Sequence, residues 1–311
     1  MKKLWKCTLL MAGFLAAAAA VGQFAQETGT GIFYKVSGGK NEMYLLGSIH
    51  VGSREMYPFS SAVRNALRKA DTLVFECDTA SAEAQAASAQ LMRSERPLSD
   101  AVSAECYELV QKAAAKLGYD PSALEGMKPW AVTNMMTVAA AADGMDAAGS
   151  RAASALGVEN MVRRQAGKKN VLYLETAAQQ LQLIDGFSQT LQEYLLSSAC
   201  EAVIDPENAN GTDQDIEQWP AWWKDGNAQA FADSYTRGLN VETPPELARE
   251  YHQALMTQRN LHMAKALSAL LESDEPNCCL VTVGLMHLVL EEDSILTLLR
   301  EMGYSVEKIS G

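Results

Sequence analysis

Two stretches at opposite ends of the chain, Tyr44-Leu45-Leu46-Gly47-Ser48-Ile49-His50 and Thr282-Val283-Gly284-Leu285-Met286-His287, share one pattern: an apolar run, a glycine, two residues and a histidine. Each apolar run is too short for a helix and too continuous for a half-exposed strand, so both read as strands of a sheet covered on both faces. Other short runs fit the same sheet. Ile32 to Val36 and Met43 to Leu46 flank Ser37-Gly38-Gly39-Lys40-Asn41, a hairpin-type connection, and Thr72 to Phe75 enters Glu76. Asn170 to Leu174 enters Glu175, Leu280 to Val283 enters Gly284, and Ser305 to Ile309 closes the set. Glycine at a strand end is expected to permit a turn that other residues strain to make.

Between these runs the spacing predicts helices. They cover Ala62 to Ala70, the segment from a Ser103 cap to Leu117 before Gly118, and a helix opened by Pro129. Long patterns follow over 177–199 and 247–271, and a last one over Asp293 to Met302 before Gly303. Ala80 to Glu95 suits a surface helix or a loose excursion, and Pro206 to Asp215 reads as a loop. The fold class is therefore α/β, a central sheet with mixed helices. The first half runs from a histidine strand to a glutamate strand and the second half in the reverse order. That order suggests two pseudo-symmetric halves, separated by a large helical insertion, with four strand ends at one sheet edge.

The chemistry follows from that edge, where open α/β sheets bind ligands. The chain has only four histidines, and His50 and His287 are the two in the strand–glycine setting. Glu76 ends a buried strand, so its carboxylate must be solvated, paired or liganded. Asp78 is a secondary candidate if the strand continues past Glu76. Two imidazoles and a carboxylate from separate strands match a divalent-metal set with open positions. Glu175 is a further ligand or base, or else a partner for the start of the next helix. On the 247–271 helix, Asn260 falls on the stripe of Met256, Met263, Leu267 and Leu270, with Arg259 at its edge. The pair either pins the helix to a strand end or orients Glu76 or a substrate carbonyl. His252 and His262 lie on this helix without a strand-end setting, which gives them surface or core roles. Neither an H-E-x-x-H nor a G-x-S-x-G motif occurs.

Met1, Lys2, Lys3 and Lys6 precede an apolar run from Cys7 to Val21, with no acid before Glu27. This is the pattern of a secretory signal, residues 1–22, ahead of one domain over 23–311. An uncleaved anchor is the competing reading, but the run is short and alanine-rich for a bilayer span of roughly 20 residues. The expected location is periplasmic or secreted, without stable membrane insertion after cleavage. Removing 1–22 takes three lysines and no acid, moving the formal charge from −12 to −15. That balance argues against nucleic acid or anionic lipid as partners. Cys77, Cys106, Cys200, Cys278 and Cys279 remain, an odd number in a compartment that permits disulfides. No zinc-knuckle spacing occurs among them, and Cys278 and Cys279 suit burial as small hydrophobes.

Taken together, the motifs resemble the TraB/GumN family, which includes bacterial pheromone-shutdown proteins and the animal Tiki proteins. The resemblance rests on Tyr44 to Gly52, Met56-Tyr57-Pro58, Val74-Phe75-Glu76, Lys128-Pro129-Trp130-Ala131 and Gly157-Val158-Glu159. It continues through Leu174-Glu175-Thr176, Trp223-Lys224-Asp225-Gly226, Gln258-Arg259-Asn260 and Val283 to Leu288. Where relatives carry aspartate after Gly-Val, this chain has Glu159. The resemblance implies His50, His287 and Glu76 as the metal and catalytic set and Arg259-Asn260 as the supporting pair. It implies a metal-dependent peptidase favouring manganese or cobalt, with zinc compatible, acting on a peptide or other small extracytoplasmic substrate. Because related folds bind haem, a non-catalytic peptide-signal or haem-binding protein is the alternative, and a partner protein with a scaffolding metal is a third reading.

Overall fold

A computed structural model describes residues 29–78, 80–141, 147–206, 213–240, 243–290 and 292–309. The expected signal segment and most of the expected 206–215 loop lie outside these residues. Six strands form one sheet: β1 (Phe33–Ser37), β2 (Glu42–Ser48), β3 (Thr72–Phe75), β4 (Asn170–Tyr173), β5 (Cys278–Gly284) and β6 (Ser305–Lys308). Their spatial order is β4-β3-β5-β2-β1-β6. β1 and β2 form the expected antiparallel hairpin, while β2, β5, β3 and β4 run parallel, so their carboxyl ends share one edge. The class is mixed α/β, with helices making every long connection.

The central strands are buried on both faces because helices cover them: every residue of β3 and β5 is buried. The same expectation does not hold for β4 and β6. They lie at the two edges of the sheet, and Leu172 and Tyr173 of β4 are 41% and 38% exposed. A continuous apolar run therefore does not separate an edge strand from a central one.

Two helical expectations are also refined. The 177–199 pattern is two helices, Ala177–Asp185 and Gln189–Ile204, because Gly186 ends the first and the Ser188 side chain caps the second at Leu191 N. The 247–271 pattern is one rod in three parts: Pro245–His252, a π turn over Gln253–Thr257, and Gln258–Leu271. Ala82–Leu91 is a helix with no buried residue, the surface form of the two alternatives. A second, smaller core lies among the helices Ala104–Lys116, Pro129–Ala141 and Gln189–Ile204, where Val110, Val132, Met136, Leu196 and Cys200 pack together. All five described cysteines are buried and free. Their burial raises the thiol pKa of each, so they behave as small hydrophobes rather than nucleophiles.

Candidate functional site

The strand order places the four candidate ends side by side: β2 leading to His50, β5 to His287, β3 to Glu76 and β4 to Glu175. The parallel register sets Ser48 opposite Gly284 and Phe75 opposite Thr282 and Tyr173. Past the last ladder pair the backbones stay joined, since Glu175 N donates to Glu76 O at 2.7 Å and Leu285 N to Ser48 O at 2.9 Å.

Neither motif glycine has the left-handed backbone that would make it a turn residue, so that expectation is corrected. Both are required by close approach instead. A methyl on Gly47 would stand 2.9 Å from Leu285 Cβ, and one on Gly284 would stand 2.9 Å from Glu76 Oε1. Gly284 N donates to the same Oε1, so the absent side chain lets the carboxylate reach the backbone amide.

Arg259 organises the glutamates. Its Nη2 donates to Glu76 Oε2 at 2.7 Å and to Glu175 Oε2 at 2.8 Å, while Nε reaches both oxygens of Glu175 at 3.0 and 3.2 Å. The side chains of Arg259 and Glu175 are each 5% exposed and that of Glu76 is 16% exposed. Gln180 Nε2 donates to Glu175 Oε2 at 3.0 Å and completes the cage. Glu175 is thus a buried partner of Arg259 and, through Gln180, of the following helix, whose cap itself is the reciprocal pair of Thr176 and Gln179. Burial acts to raise the Glu76 pKa. Arg259 foremost, then His287, the Gly284 amide and His50, outweigh it and hold the group down at about 2.

His287 is buried and faces this cluster, with Nε2 3.9 Å from Glu76 Oε1. Its Nδ1 lies 2.6 Å from Asn260 Oδ1, and Asn260 Nδ2 donates to Asp293 O at 2.9 Å. An amide whose nitrogen faces a carbonyl presents its oxygen to the ring, so Nδ1 carries the hydrogen and Nε2, on the Glu76 side, keeps its lone pair. Burial, then the nearby Arg259 charge, pushes the imidazole pKa down to about 3, so the ring is neutral at physiological pH. His50 is half-buried at the next strand end. Its loop is held by Val158 N on Ile49 O at 3.0 Å and by Gly157, where any side chain would strike His50 O.

The other candidates are placed differently. β3 ends at Phe75, so strand alternation does not carry Asp78 into the site; it caps Ala80 N locally at 3.0 Å. Glu159 pairs with Arg163 at 2.8 Å, and Arg163 lies over the Phe75 ring, 4.3 Å from its centroid. His262 Nε2 is 3.1 Å from Leu174 O, and His252 contacts Tyr235 and Asp293. Sequence reasoning missed Gln180 and Asp293. It also missed the hydroxyls of Ser48 and Thr282, buried and without hydrogen-bond partners among the described residues.

The fit to a divalent ion is one of chemistry. A neutral imidazole with its lone pair free and its other nitrogen held by an amide is the form a histidine ligand takes. Glu76 stays anionic, and the buried cluster holds two carboxylates against one guanidinium, which leaves room for added positive charge. Among the described residues, no three His, Cys, Asp or Glu side chains are drawn close enough to enclose an ion. The pair in place is His287 with Glu76, and His50 is the residue that would complete the set.

A parallel-stranded α/β protein with a polar cluster at its strand ends is the class these features define. Residues 32–308 match the TraB/PrgY/gumN family, and the chain belongs to it. It is similar to "Uncharacterized protein YbaP" of Escherichia coli (strain K12), 24% identical over 254 residues that cover 80% of this chain and 85% of that protein. The protein of the same name from Shigella flexneri matches at the same identity and coverage. No solved structure matches. Several family motifs outside the site are structural pins: Trp223 Nε1 donates to Gly47 O at 2.7 Å, and Asp185 accepts from Lys128 Nζ at 2.6 Å and Trp130 Nε1 at 2.8 Å.

Proposed function

We propose that the protein is an exported metal-dependent hydrolase of peptidase type, with a divalent ion held by His50, Glu76 and His287. The observation that carries this reading is His287 Nε2, 3.9 Å from Oε1 of the anionic Glu76 on a ring whose Nδ1 is held by Asn260. An ion held by these residues would supply Lewis acidity and would lower the pKa of a water there. The mixed nitrogen and oxygen donors suit manganese, cobalt or zinc.

The protein's own residues divide the work by geometry. Glu76, held at a pKa of about 2, serves as an anionic ligand and is a poor proton acceptor at neutral pH. Arg259 spends Nε and Nη2 on the two glutamates and gives Nη1 to Leu255 O at 3.5 Å. Its role is to hold Glu76 in place, rather than to meet a substrate oxyanion. Glu175 locks Arg259, and Asn260 orients His287. The peptide class of substrate rests on the family resemblance.

The test is cleavage of a peptide library by the protein titrated with manganese, cobalt and zinc. Cleavage that a chelator abolishes and one of these ions restores is the expected result. Stoichiometric metal binding with no cleavage under any ion contradicts the hydrolase reading and favours a binding module. Export is tested by a C-terminal tag, expected outside the cytoplasm on a chain shortened near Gly22. Full-length chain retained in membranes contradicts cleavage.

A further inference from the structure

We propose that Asp293 is a positioning residue for the site, selecting through Asn260 the His287 tautomer whose Nε2 lone pair faces Glu76. An Asn side chain has nearly the same shape in either amide orientation, so Asn260 alone does not fix the ring. Turned over, it would present its NH2 to His287 Nδ1 and leave the ring hydrogen on Nε2, pointing towards Glu76. The backbone carbonyl of Asp293 removes that option. It lies 2.9 Å from Asn260 Nδ2, and a reversed amide would set two oxygens against each other there.

The carbonyl is held by the Asp293 side chain. Its Oδ2 accepts from Thr257 Oγ1, and His252 Nε2 stands 3.5 Å from the same atom. His252 is steadied in turn by Tyr235, whose hydroxyl lies 3.1 Å from Nδ1. The π turn over Gln253–Thr257 makes this grip available. In a regular α-helix, residues five apart lie about 140° from alignment. The i→i+5 bonding of a π turn brings them close to one side. His252 and Thr257 are five apart, and both reach Asp293. Thr257 and Asn260, three apart, then take its carboxylate and its carbonyl. One residue thus ties the long helix, the turn that follows the Met286–Val289 helix and the imidazole together.

The proposal is read without metal or substrate, from imidazole nitrogen NMR signals of the chelator-treated protein. Only four histidines contribute, and His287→Gln identifies the signal. The unaltered protein is expected to show a pyrrole-type Nδ1 and a pyridine-type Nε2 at His287. Asp293→Ala is expected to divide His287 between both tautomers while the backbone amide spectrum elsewhere is unchanged, and Asp293→Asn, which keeps the acceptor, to restore the single form. Thr257→Val gives the same reading should Asp293→Ala fail to fold. A single Nδ1–H form in both Asp293→Ala and Thr257→Val overturns the proposal, as does an Nε2–H form in the unaltered protein. A second arm, manganese affinity by chelator competition, rests on the metal reading above. Asp293→Ala is expected to lose about 10-fold or more. An unaltered protein that binds no manganese would defeat that reading while leaving the tautomer result to stand or fall alone.

Discussion

Replacing Arg259 with methionine keeps much of the side-chain volume and removes the only guanidinium between Glu76 and Glu175. Both carboxylates would stay in a pocket where the side chain of one is 5% exposed and that of the other 16%. Breaking a buried pair by deleting one partner costs about 3–5 kcal/mol, because the remaining charge is left uncompensated. Here two charges are left, so the upper part of that range applies until one of them takes up a proton. Against a total stability of about 5–15 kcal/mol, the variant should remain folded with a much lower urea midpoint. The loss has a signature in pH. Without Arg259 the Glu76 pKa rises, so the unaltered protein and the variant should converge in stability as pH falls towards 4. Arg259→Met combined with Glu76→Gln and Glu175→Gln should recover most of the loss, since the charges that need the arginine are gone. Urea unfolding of the three proteins across pH 4–7 measures this. A loss below about 1 kcal/mol at pH 7, or a triple variant no better than the single one, would refute the cage described for Arg259.

His287, with its pKa pushed down to about 3 by burial and Arg259, makes the metal-free protein sensitive to acid. The unfolded imidazole binds a proton near pH 6.5 and the folded one does not. Stability contributed by this residue is therefore full above that value and falls as pH drops, by about 2 kcal/mol between pH 6.5 and 5. Chelator-treated His287→Gln should lack that slope, as denaturant titrations at each pH would reveal. Gly284→Ala places a methyl 2.9 Å from Glu76 Oε1 and should cost about 1–3 kcal/mol. A melting curve matching the unaltered protein would show that Glu76 moves aside freely. Val283 is wholly buried in β5, so Val283→Asp should yield no soluble protein with a cooperative melt.

Much of the site was readable because strand ends announce themselves locally. A short apolar run followed by Glu76 or by Gly-x-x-His287 is visible in sequence, and parallel strands must bring their carboxyl ends together. The arginine–asparagine pair was visible too, as two polar residues on a buried helical stripe. The unread parts depend on partners distant along the chain. The exposure of β4 follows from its place at the sheet edge, which local composition does not encode. Gly47 and Gly284 look like turn residues until Leu285 and Glu76 are seen against them. Asp293 gave no signal because it reaches Asn260 through a backbone carbonyl that any residue could supply. The division of the 177–199 helix was encoded in Gly186 and Ser188, and their stop and cap outweigh the helical periodicity around them.

The central claim is that His50, Glu76 and His287 share one ion, and metal stoichiometry tests it most directly. The unaltered protein and the alanine variants of these three residues would be dialysed against manganese, and bound metal measured by mass spectrometry after melting curves confirm folding. His262→Ala is the control, since its imidazole Nε2 lies against the Leu174 carbonyl rather than in the proposed ligand set. About one ion is expected in the unaltered protein and in His262→Ala, with a collapse of occupancy in each of the three variants. Undiminished metal in His50→Ala and His287→Ala would contradict that claim.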